Sequence, residues 1–333
     1  MMKILYAIQG TGNGHLSRSM DIVPLLQQMG DVDVLVSGNQ GDLNLPFPIK
    51  YKFNGFGFIF GKSGGVDLWK SFLKSRFRKF LKEIKELPID KYDVVINDFE
   101  PVSAWACYLA DKPCIGLSHQ AAVLGENAPK TEETDMIGKL VLKNYAPVSV
   151  SYGFHFKKFD KKTFTPVIRQ QVREQRISNK GHYTVYLPAY DDKRLVKRLS
   201  EFKDIQWDVF SKHNSKIKQH GNVFIQPINN KAFIKSMAES EGVLCGAGFE
   251  TPAEALFMKK KLLVIPMKNQ YEQQLNAAAL KEMGVPVIKS LKPKHSETIL
   301  NWLNNGTPVK VDYADNTREI LEMIFKTHVL NKQ

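Results

Sequence analysis

Long apolar runs are missing from this 333-residue sequence, and cysteine is rare. No run approaches the ~18 apolar residues of a membrane-spanning helix, so we expect no span. The apolar stretch near the N-terminus, Ile4–Ile8, is too short for a signal peptide and fits a first strand instead. The cysteines, Cys107, Cys114 and Cys245, lie in apolar surroundings without metal-ligand spacing, which is typical of reduced thiols in a cytosolic protein. We therefore expect a cytoplasmic location.

Acidic residues are outnumbered, with 34 Asp and Glu against 47 Lys and Arg, and the net charge is +13. Such an excess attracts nucleic acid, anionic lipid headgroups or phosphorylated small molecules. No zinc-finger, RNA-recognition or helix-turn-helix pattern accompanies the charge, so we expect no nucleic-acid partner. A polyanionic substrate or an anionic membrane surface explains the charge better.

Apolar strand patterns alternate with helical patterns in both halves of the chain. The length exceeds that of a typical single domain, and such alternation predicts parallel sheets flanked by helices. We predict an α/β fold in which two doubly wound, Rossmann-like domains face each other across a cleft. The first domain is predicted at residues 1–160 and the second at 161–314, and a helix within 315–333 is expected to pack back on the first domain.

The stretch from Cys245 to Ala277 contains a pattern that suits an anion. Gly246 and Gly248 follow an apolar strand, and Thr251, with proline next and Glu254 three residues on, predicts a helix start capped by the threonine. Free backbone N–H groups and the helix dipole would point out of that turn. A buried strand and a polar loop at 267–276 follow. Because ligands of α/β sheets bind at the carboxyl ends of strands, we predict that a diphosphate with a sugar attached binds here.

A glycine-rich loop after the first strand, Gly10–His15, places His15 at the start of a helix. The residues favour a general base over a histidine that only caps the helix. Asp98 follows a buried strand and has a similar place, so it either orients an imidazole or caps the next helix. His119 ends another strand, as a ligand-facing group or as a hydrogen-bonded strand-end histidine.

The segment Leu68–Glu86 combines an apolar stripe at helical spacing with lysines and arginines away from it. Two interpretations stay open. The segment is an ordinary crossover helix that buries its apolar stripe, or an interfacial helix resting on anionic lipid.

Four motifs together resemble the MurG-like group of GT-B-fold glycosyltransferases, whose members act on the cell envelope. They are spread over nearly the whole chain, and the last is the most specific. They are Gly10–His15; Ser118-His119-Gln120 with Gly125; Thr165–Arg169; and Gly248-x-x-Thr251-x-x-Glu254 followed by Pro266, Glu272-Gln273, Asn276 and Ala277. Two departures stand out: Leu187–Tyr190 replaces a glycine-rich turn, and Glu272 replaces an aspartate.

The resemblance implies a role for each matching residue. His15 would be the base, and Asp98 its acidic partner. Gly246, Gly248 and Thr251 would contact the diphosphate. Glu254 would hold the ribose hydroxyls, unless its carboxylate only bonds back to the Thr251 amide. The residues implied to contact the donor sugar are Gln270, Glu272, Gln273 and Asn276, of which Gln273 and Asn276 could instead be solvated polar positions. The residues implied on the acceptor side are Gly12, Asn13, Gly14 and His119.

The predicted activity follows from these roles. We predict an inverting glycosyltransferase that moves a hexose or N-acetylhexosamine from a nucleotide-sugar donor, with uridine as the expected base. No metal ion or other cofactor is expected. The expected acceptor is lipid-linked or another envelope glycan, with the 68–86 segment on the inner face of the cytoplasmic membrane. The alternatives are a nucleotide-sugar epimerase of the same fold and a non-catalytic nucleotide-sugar-binding protein.

Overall fold

The computed structural model describes residues 1–38, 45–55, 77–131 and 135–329. These residues form two sheets, one of seven strands and one of six. Both sheets consist of parallel strands, apart from one antiparallel edge strand in the second. The predicted α/β fold with two Rossmann-like halves is confirmed.

The first sheet is built around the strand at the N-terminus. Its strands are β1 Lys3–Gln9, β2 Asp31–Ser37, β3 Tyr51–Phe53, β4 Val94–Asp98, β5 Ile115–Ser118, β6 Val150–Phe154 and β7 Thr163–Phe164. Their order in space is β3-β2-β1-β4-β5-β6-β7, so the chain direction across the sheet reverses between β1 and β4. Ile4–Ile8 are fully buried because helices cover this sheet, as a continuous apolar run predicts. The reversal point is where parallel sheets bind ligands.

Helices of the first half follow its strands. They are α1 Asn13–Gln27, α2 Phe77–Glu86, α3 Pro101–Leu109, α4 His119–Val123 and α5 Met136–Asn144, and a single 3-10 turn covers Ile89–Lys91. Helix α1 starts directly after β1, and α4 directly after β5. Each therefore begins at the carboxyl edge of the sheet.

The second sheet has the order β10-β11-β9-β8-β12-β13. Its strands are β8 His182–Tyr186, β9 Gln206–Ser211, β10 Lys218–His220, β11 Val223–Pro227, β12 Gly242–Gly246 and β13 Lys261–Ile265. Its helices are α6 Gln170–Arg173, α7 Asp192–Leu199, α8 Asn230–Glu239, α9 Glu250–Phe257, α10 Tyr271–Glu282 and α11 Ser296–Asn305, with a 3-10 turn at Pro293–His295. Val287 adds a single parallel bridge to Val264 at the β13 edge.

The two halves share buried apolar contacts. One cluster of buried side chains runs from Ile4 of β1 to Val243 of β12. A final helix, α12 Thr317–His328, contributes Leu321 to the same cluster, and its His328 Nε2 lies 2.7 Å from the Tyr152 hydroxyl of β6. The predicted domain bounds stay predictions. Strand β7 pairs with the first sheet although it lies beyond residue 160.

The basic segment predicted at 68–86 is described only from Phe77 onward, and residues 68–76 lie outside the described part of the chain. Helix α2 buries Phe80 and Ile84 in a cluster beneath the first sheet, as a crossover helix would. Its Phe77 and Leu81 are 55% and 38% exposed. The described part thus packs one face against the protein and exposes two apolar side chains. No described helix is long and apolar enough to cross a membrane.

Candidate active site

His15 and Asp98 meet at the reversal point of the first sheet. Asp98 is the last residue of β4, which pairs with β1, and His15 lies in the first turn of α1. His15 Nδ1 lies 2.8 Å from an Asp98 carboxylate oxygen. Since a carboxylate only accepts hydrogen bonds, the Nδ1 proton points at Asp98, and in the neutral imidazole Nε2 carries the lone pair. The imidazole is thereby oriented to take up a proton at Nε2.

The two capping alternatives are wrong. Helix α1 has Gly12 at its N-cap without a side-chain cap, so His15 does not cap it. Helix α3 is capped by Glu100, whose carboxylate accepts from the amides of Val102 and Ser103. Asp98 is therefore free of a capping role.

Arg18, one turn along α1 from His15, holds Asp98 from the other side. Its Nη2 donates to both Asp98 oxygens at 2.8 Å, and both residues are buried. Burial alone would raise the pKa of the Asp98 carboxyl, but the guanidinium of Arg18 and the imidazole of His15 bring it below its ordinary value. Asp98 therefore stays ionised and can stabilise a protonated imidazole.

Arg18 also reaches the second half of the molecule. Its Nη1 donates to the Glu250 carboxylate in the first turn of α9. Burial raises the pKa of Glu250 to about 7, against the opposing pull of Arg18 and with a further rise from Glu254. The base and the predicted diphosphate turn are thus joined through a single arginine.

Gln120 provides a second link across the cleft. Its side-chain nitrogen lies 3.3 Å from His15 Nε2 and donates to a Glu272 carboxylate oxygen at 3.1 Å. The amide therefore rests on the nitrogen that would accept a proton. An acceptor hydroxyl that binds to Nε2 has to replace this contact.

His119 and Asn276 form a third link, and both are buried. The His119 ring stacks on Phe249 at 3.8 Å between centroids, and its Nε2 lies 2.7 Å from the Asn276 side-chain oxygen. Its Nδ1 lies 2.8 Å from the Phe154 carbonyl, and Asn276 also donates to the Ala247 carbonyl. Burial lowers the pKa of His119. His119 is thus the hydrogen-bonded strand-end histidine, and the solvated alternative for Asn276 is wrong. Their predicted ligand contacts would require these bonds to break.

The residues predicted to bind the diphosphate line a cavity of about 400 Å³. It lies over the carboxyl ends of β8, β12 and β13, and its wall includes Gly246, Gly248, Thr251 and Gln273. The Leu187–Tyr190 turn, where the sequence departs from a glycine-rich pattern, also lines it. The predicted helix start is two residues late, because α9 begins at Glu250 with Phe249 at its N-cap and Thr251 lies inside the first turn.

Of the residues predicted to contact the donor sugar, some line the cavity and others do not. Gln273 lines the cavity while its side-chain oxygen accepts from the Met267 amide at 2.9 Å. Its side chain is partly exposed, so its solvated alternative stays open. Gln270 lies at the N-cap of α10 without capping it, and its buried side-chain oxygen has no hydrogen-bond partner among the described residues. Glu272 faces Gln120 instead of the cavity wall.

The sequence matches the model of glycosyl transferase family 1 over residues 2–305. The chain belongs to this family. No curated protein matches it.

Solved structures similar to this family 1 enzyme share its fold at low identity. MurG of Acinetobacter baumannii has 15% identity and a TM-score of 0.54, with all of both chains covered. The spinosyn forosaminyltransferase SpnP has 12% identity and a TM-score of 0.59, again with all of both chains covered. SsfS6 of Streptomyces sp. SF2575, in complex with thymidine diphosphate, has 15% identity and a TM-score of 0.56, over 97% of this chain and 100% of that one. The family is therefore shown, whereas the MurG-like group stays a prediction.

Glu254 has a different partner in this glycosyltransferase from the two predicted for it. It is 2% exposed and accepts two bonds from Arg169, one of them at 2.8 Å from Nη2. Its predicted bond back to the Thr251 amide is wrong, since Thr251 lies inside the first turn of α9 and the described hydrogen bonds of the Glu254 carboxylate come from Arg169. It does not line the described cavity, and its contact to a ribose stays a prediction.

The glycines of the first loop bring the backbone close to the second half. Gly12 has a φ of 90°, which favours glycine, and Gly14 lies so near Glu250 that an added Cβ would be 3.2 Å from its Cγ. Asn13, between them, has a buried side-chain oxygen with no hydrogen-bond partner in the part of the chain that the structure describes. The first loop therefore lies beside the second half, and the place of these three residues on the acceptor side stays a prediction.

An Asp-x-Asp triplet, a pattern that can hold a divalent ion, occurs at Asp31-Val32-Asp33. It opens β2, at the opposite end of the sheet from His15, and Asp33 accepts from Lys50 and Tyr92. Its position gives it no part in this site. Independence of a metal stays a prediction.

Arg18 and Glu250 are the residues that the sequence did not single out. Arg18 carries one hint, since it follows His15 by three residues and so shares its helix face. Glu250 stands at an unspecified position of the Gly248-x-x-Thr251 motif. Their pairing spans 232 positions, and no local pattern contains it.

Proposed function

We propose that this family 1 glycosyltransferase transfers a hexose or N-acetylhexosamine with inversion, using His15 as the base. The observation that carries the proposal is the hydrogen bond from His15 Nδ1 to Asp98 at 2.8 Å. It leaves Nε2 as a proton acceptor where the two halves meet. The same arrangement would have no purpose in a protein that only binds nucleotide sugars.

The donor would bind in the cavity of the second half. Gly246, Gly248 and Thr251 line it, and the first turn of α9 points backbone N–H groups and the positive end of a dipole toward it. Negative charge develops on the leaving diphosphate, and groups already oriented toward it stabilise the transition state. A thymidine diphosphate complex of the similar SsfS6 supports a nucleoside diphosphate. Uridine remains the expected base.

The reaction would be a direct displacement. His15 Nε2 takes the proton of the acceptor hydroxyl while that oxygen bonds to the anomeric carbon from the face opposite the diphosphate. The bond from the anomeric carbon to the phosphate oxygen breaks, and its electron pair leaves with the nucleoside diphosphate. Asp98, kept ionised by Arg18, stabilises the imidazolium that forms. No residue role in this sequence of events requires a metal ion.

The acceptor would be lipid-linked or part of the cell envelope. Phe77 and Leu81 are exposed on α2, and Arg78 and Lys82 are exposed on the same helix. This mixture suits a surface of anionic lipid, on which aromatic and basic side chains both find partners. Binding to the inner face of the cytoplasmic membrane is part of the proposal.

A thermal-shift screen with uridine and thymidine nucleotide sugars tests donor binding, since a ligand of the folded state raises the melting temperature. Transfer of the sugar is then measured with extracts that supply the acceptor. His15→Ala should keep the thermal shift and lose roughly 10²–10⁴-fold in turnover. Full activity of His15→Ala would mean that another residue is the base. Isomerised donor without acceptor would instead indicate an epimerase.

A further inference from the structure

The charge around the donor cavity is of one sign. Five cationic residues line it, and no aspartate or glutamate of the described chain does. They are Arg194, Lys268, Lys289, Lys292 and Lys294. With 34 acidic residues to 47 basic ones in the sequence, an ordinary surface would mix both signs. None of the five forms a salt bridge with a described carboxylate.

Most of these cations lie toward one end of the cavity. Lys268 follows β13, and Lys289, Lys292 and Lys294 follow Val287, which bridges β13 at the edge of the sheet. Gln273, which is implied to contact the donor sugar, lines the same wall. The positive charge is therefore concentrated beside the sugar loop and lies away from β9 and β11.

The loop that carries the lysines is fixed to the core. Leu291 is buried between Lys289 and Lys292, its amide donates to the Tyr190 hydroxyl at 3.3 Å, and its carbonyl accepts from Arg198. The Arg194 guanidinium lies 4.8 Å from the centre of the Tyr190 ring. Lysines on a segment anchored in this way lose less freedom on binding an anion than lysines on a free loop.

A diphosphate alone does not account for this charge. In a nucleotide sugar each phosphate carries one negative charge, and the first turn of α9 already faces it. We infer that the donor sugar itself carries an anionic group, a carboxylate of the uronic acid type, which the lysines at 289 and 292 neutralise. This inference rests on the proposed donor site and specifies its substrate class.

Calorimetric titration with UDP, UDP-glucose and UDP-glucuronate tests the inference, because the two sugars differ only in a hydroxymethyl against a carboxylate. At low salt the glucuronate should bind about tenfold more tightly than the glucose, and added salt should shrink that ratio. In Lys289→Gln/Lys292→Gln the ratio should fall to near one. The control Lys203→Gln/Lys216→Gln changes exposed lysines that do not line the cavity, and it should keep the ratio.

Equal affinities for the two sugars, or a ratio that survives in the Lys289/Lys292 variant, would overturn the anionic donor while UDP binding still supports the donor site. A parallel series with thymidine nucleotides covers the other base. If neither UDP nor thymidine diphosphate binds, the proposed donor site itself is wrong, and the anionic donor with it.

Discussion

Arg18 decides how the site behaves as a unit, because it touches one carboxylate from each half. It keeps Asp98 ionised beneath the base and also pairs with Glu250 across the cleft. Asp98 is fully buried and the Glu250 side chain is only 16% exposed, yet their pKa values move in opposite directions. Asp98 has Arg18 and His15 beside it, whereas Glu250 has Glu254 and Asp98 nearby as like charges.

The raised pKa of Glu250 predicts a pH-dependent stability. The pKa of a glutamate in an unfolded chain is ~4.3, whereas the pKa of Glu250 in the folded protein is about 7. Between these values the folded protein binds more protons, so this residue's contribution to the free energy of unfolding falls as pH rises. Denaturant unfolding measures this as the free energy of unfolding of the wild type minus that of Glu250→Gln. The difference should decline by on the order of 2 kcal/mol from pH 5 to pH 8.

The matched control for this measurement is Glu297→Gln, which changes an exposed glutamate in the first turn of α11. Its difference from the wild type should stay flat over the same range. A flat or rising difference for Glu250→Gln would show that Arg18 keeps this carboxylate ionised throughout.

The pair of Arg169 and Glu254 should be structural. Glu254→Ala leaves a buried guanidinium unpaired, and we expect it to lower the free energy of unfolding by about 3–5 kcal/mol. Glu239→Ala removes the partly exposed partner of the exposed Lys180 and should lower the free energy of unfolding much less, because water screens that pair. Equal losses in the two variants would contradict the structural role. Weaker UDP binding by a folded Glu254→Gln variant would instead support the predicted contact between Glu254 and the ribose.

At the scale of single elements, the turn before α9 contains a glycine that ligand binding needs and that the fold does not. An added Cβ at Gly248 would meet no atom within 4 Å, so the fold does not need glycine there. The cavity does need it if a diphosphate approaches the backbone. Gly248→Val should therefore leave the melting temperature of the free protein unchanged and weaken UDP binding at least about tenfold. Unchanged affinity would show that the diphosphate lies elsewhere.

Helix α2 offers a second prediction at this scale. Phe77→Ser/Leu81→Ser should reduce retention on phosphatidylglycerol vesicles in co-sedimentation, because it removes the exposed apolar side chains beside the cations. Met136→Ser/Leu140→Ser changes apolar residues on α5 that are even more exposed, at 78% and 64%, and should retain binding. Retention should also fall at high salt. Wild-type protein that stays in solution at low salt would leave α2 as an ordinary crossover helix.

The elements themselves were predictable from local patterns. The apolar run of Ile4–Ile8 and the glycines before α9 specify a strand and a turn within a few residues. The predicted start of α9 differs from the observed one by two residues, since Thr251 and Pro252 fit a cap almost as well as a first turn. Capping of α3 by Asp98 stayed open in the sequence, because Asp98 and the actual cap Glu100 stand before the same proline.

At the scale of the whole molecule, the site exists only where the halves meet. Arg18 with Glu250, Gln120 with Glu272, and His119 with Asn276 each join residues more than 150 positions apart. Parallel sheets place strand ends together, so the sequence could predict that His15 and Asp98 are neighbours. It could not predict which polar side chains pair across the cleft, because those contacts depend on how two separately folded surfaces meet.

The role of His15 as the base, acting on a donor bound in the second half, can be tested without knowing the acceptor. Water can replace the acceptor hydroxyl, so the enzyme should slowly hydrolyse its donor. Proton NMR of a bound UDP-sugar should show free UDP accumulating with the wild type and not with His15→Ala, although both proteins bind the donor. Equal UDP release by the two proteins, or conversion of the donor to an epimer, would contradict the account.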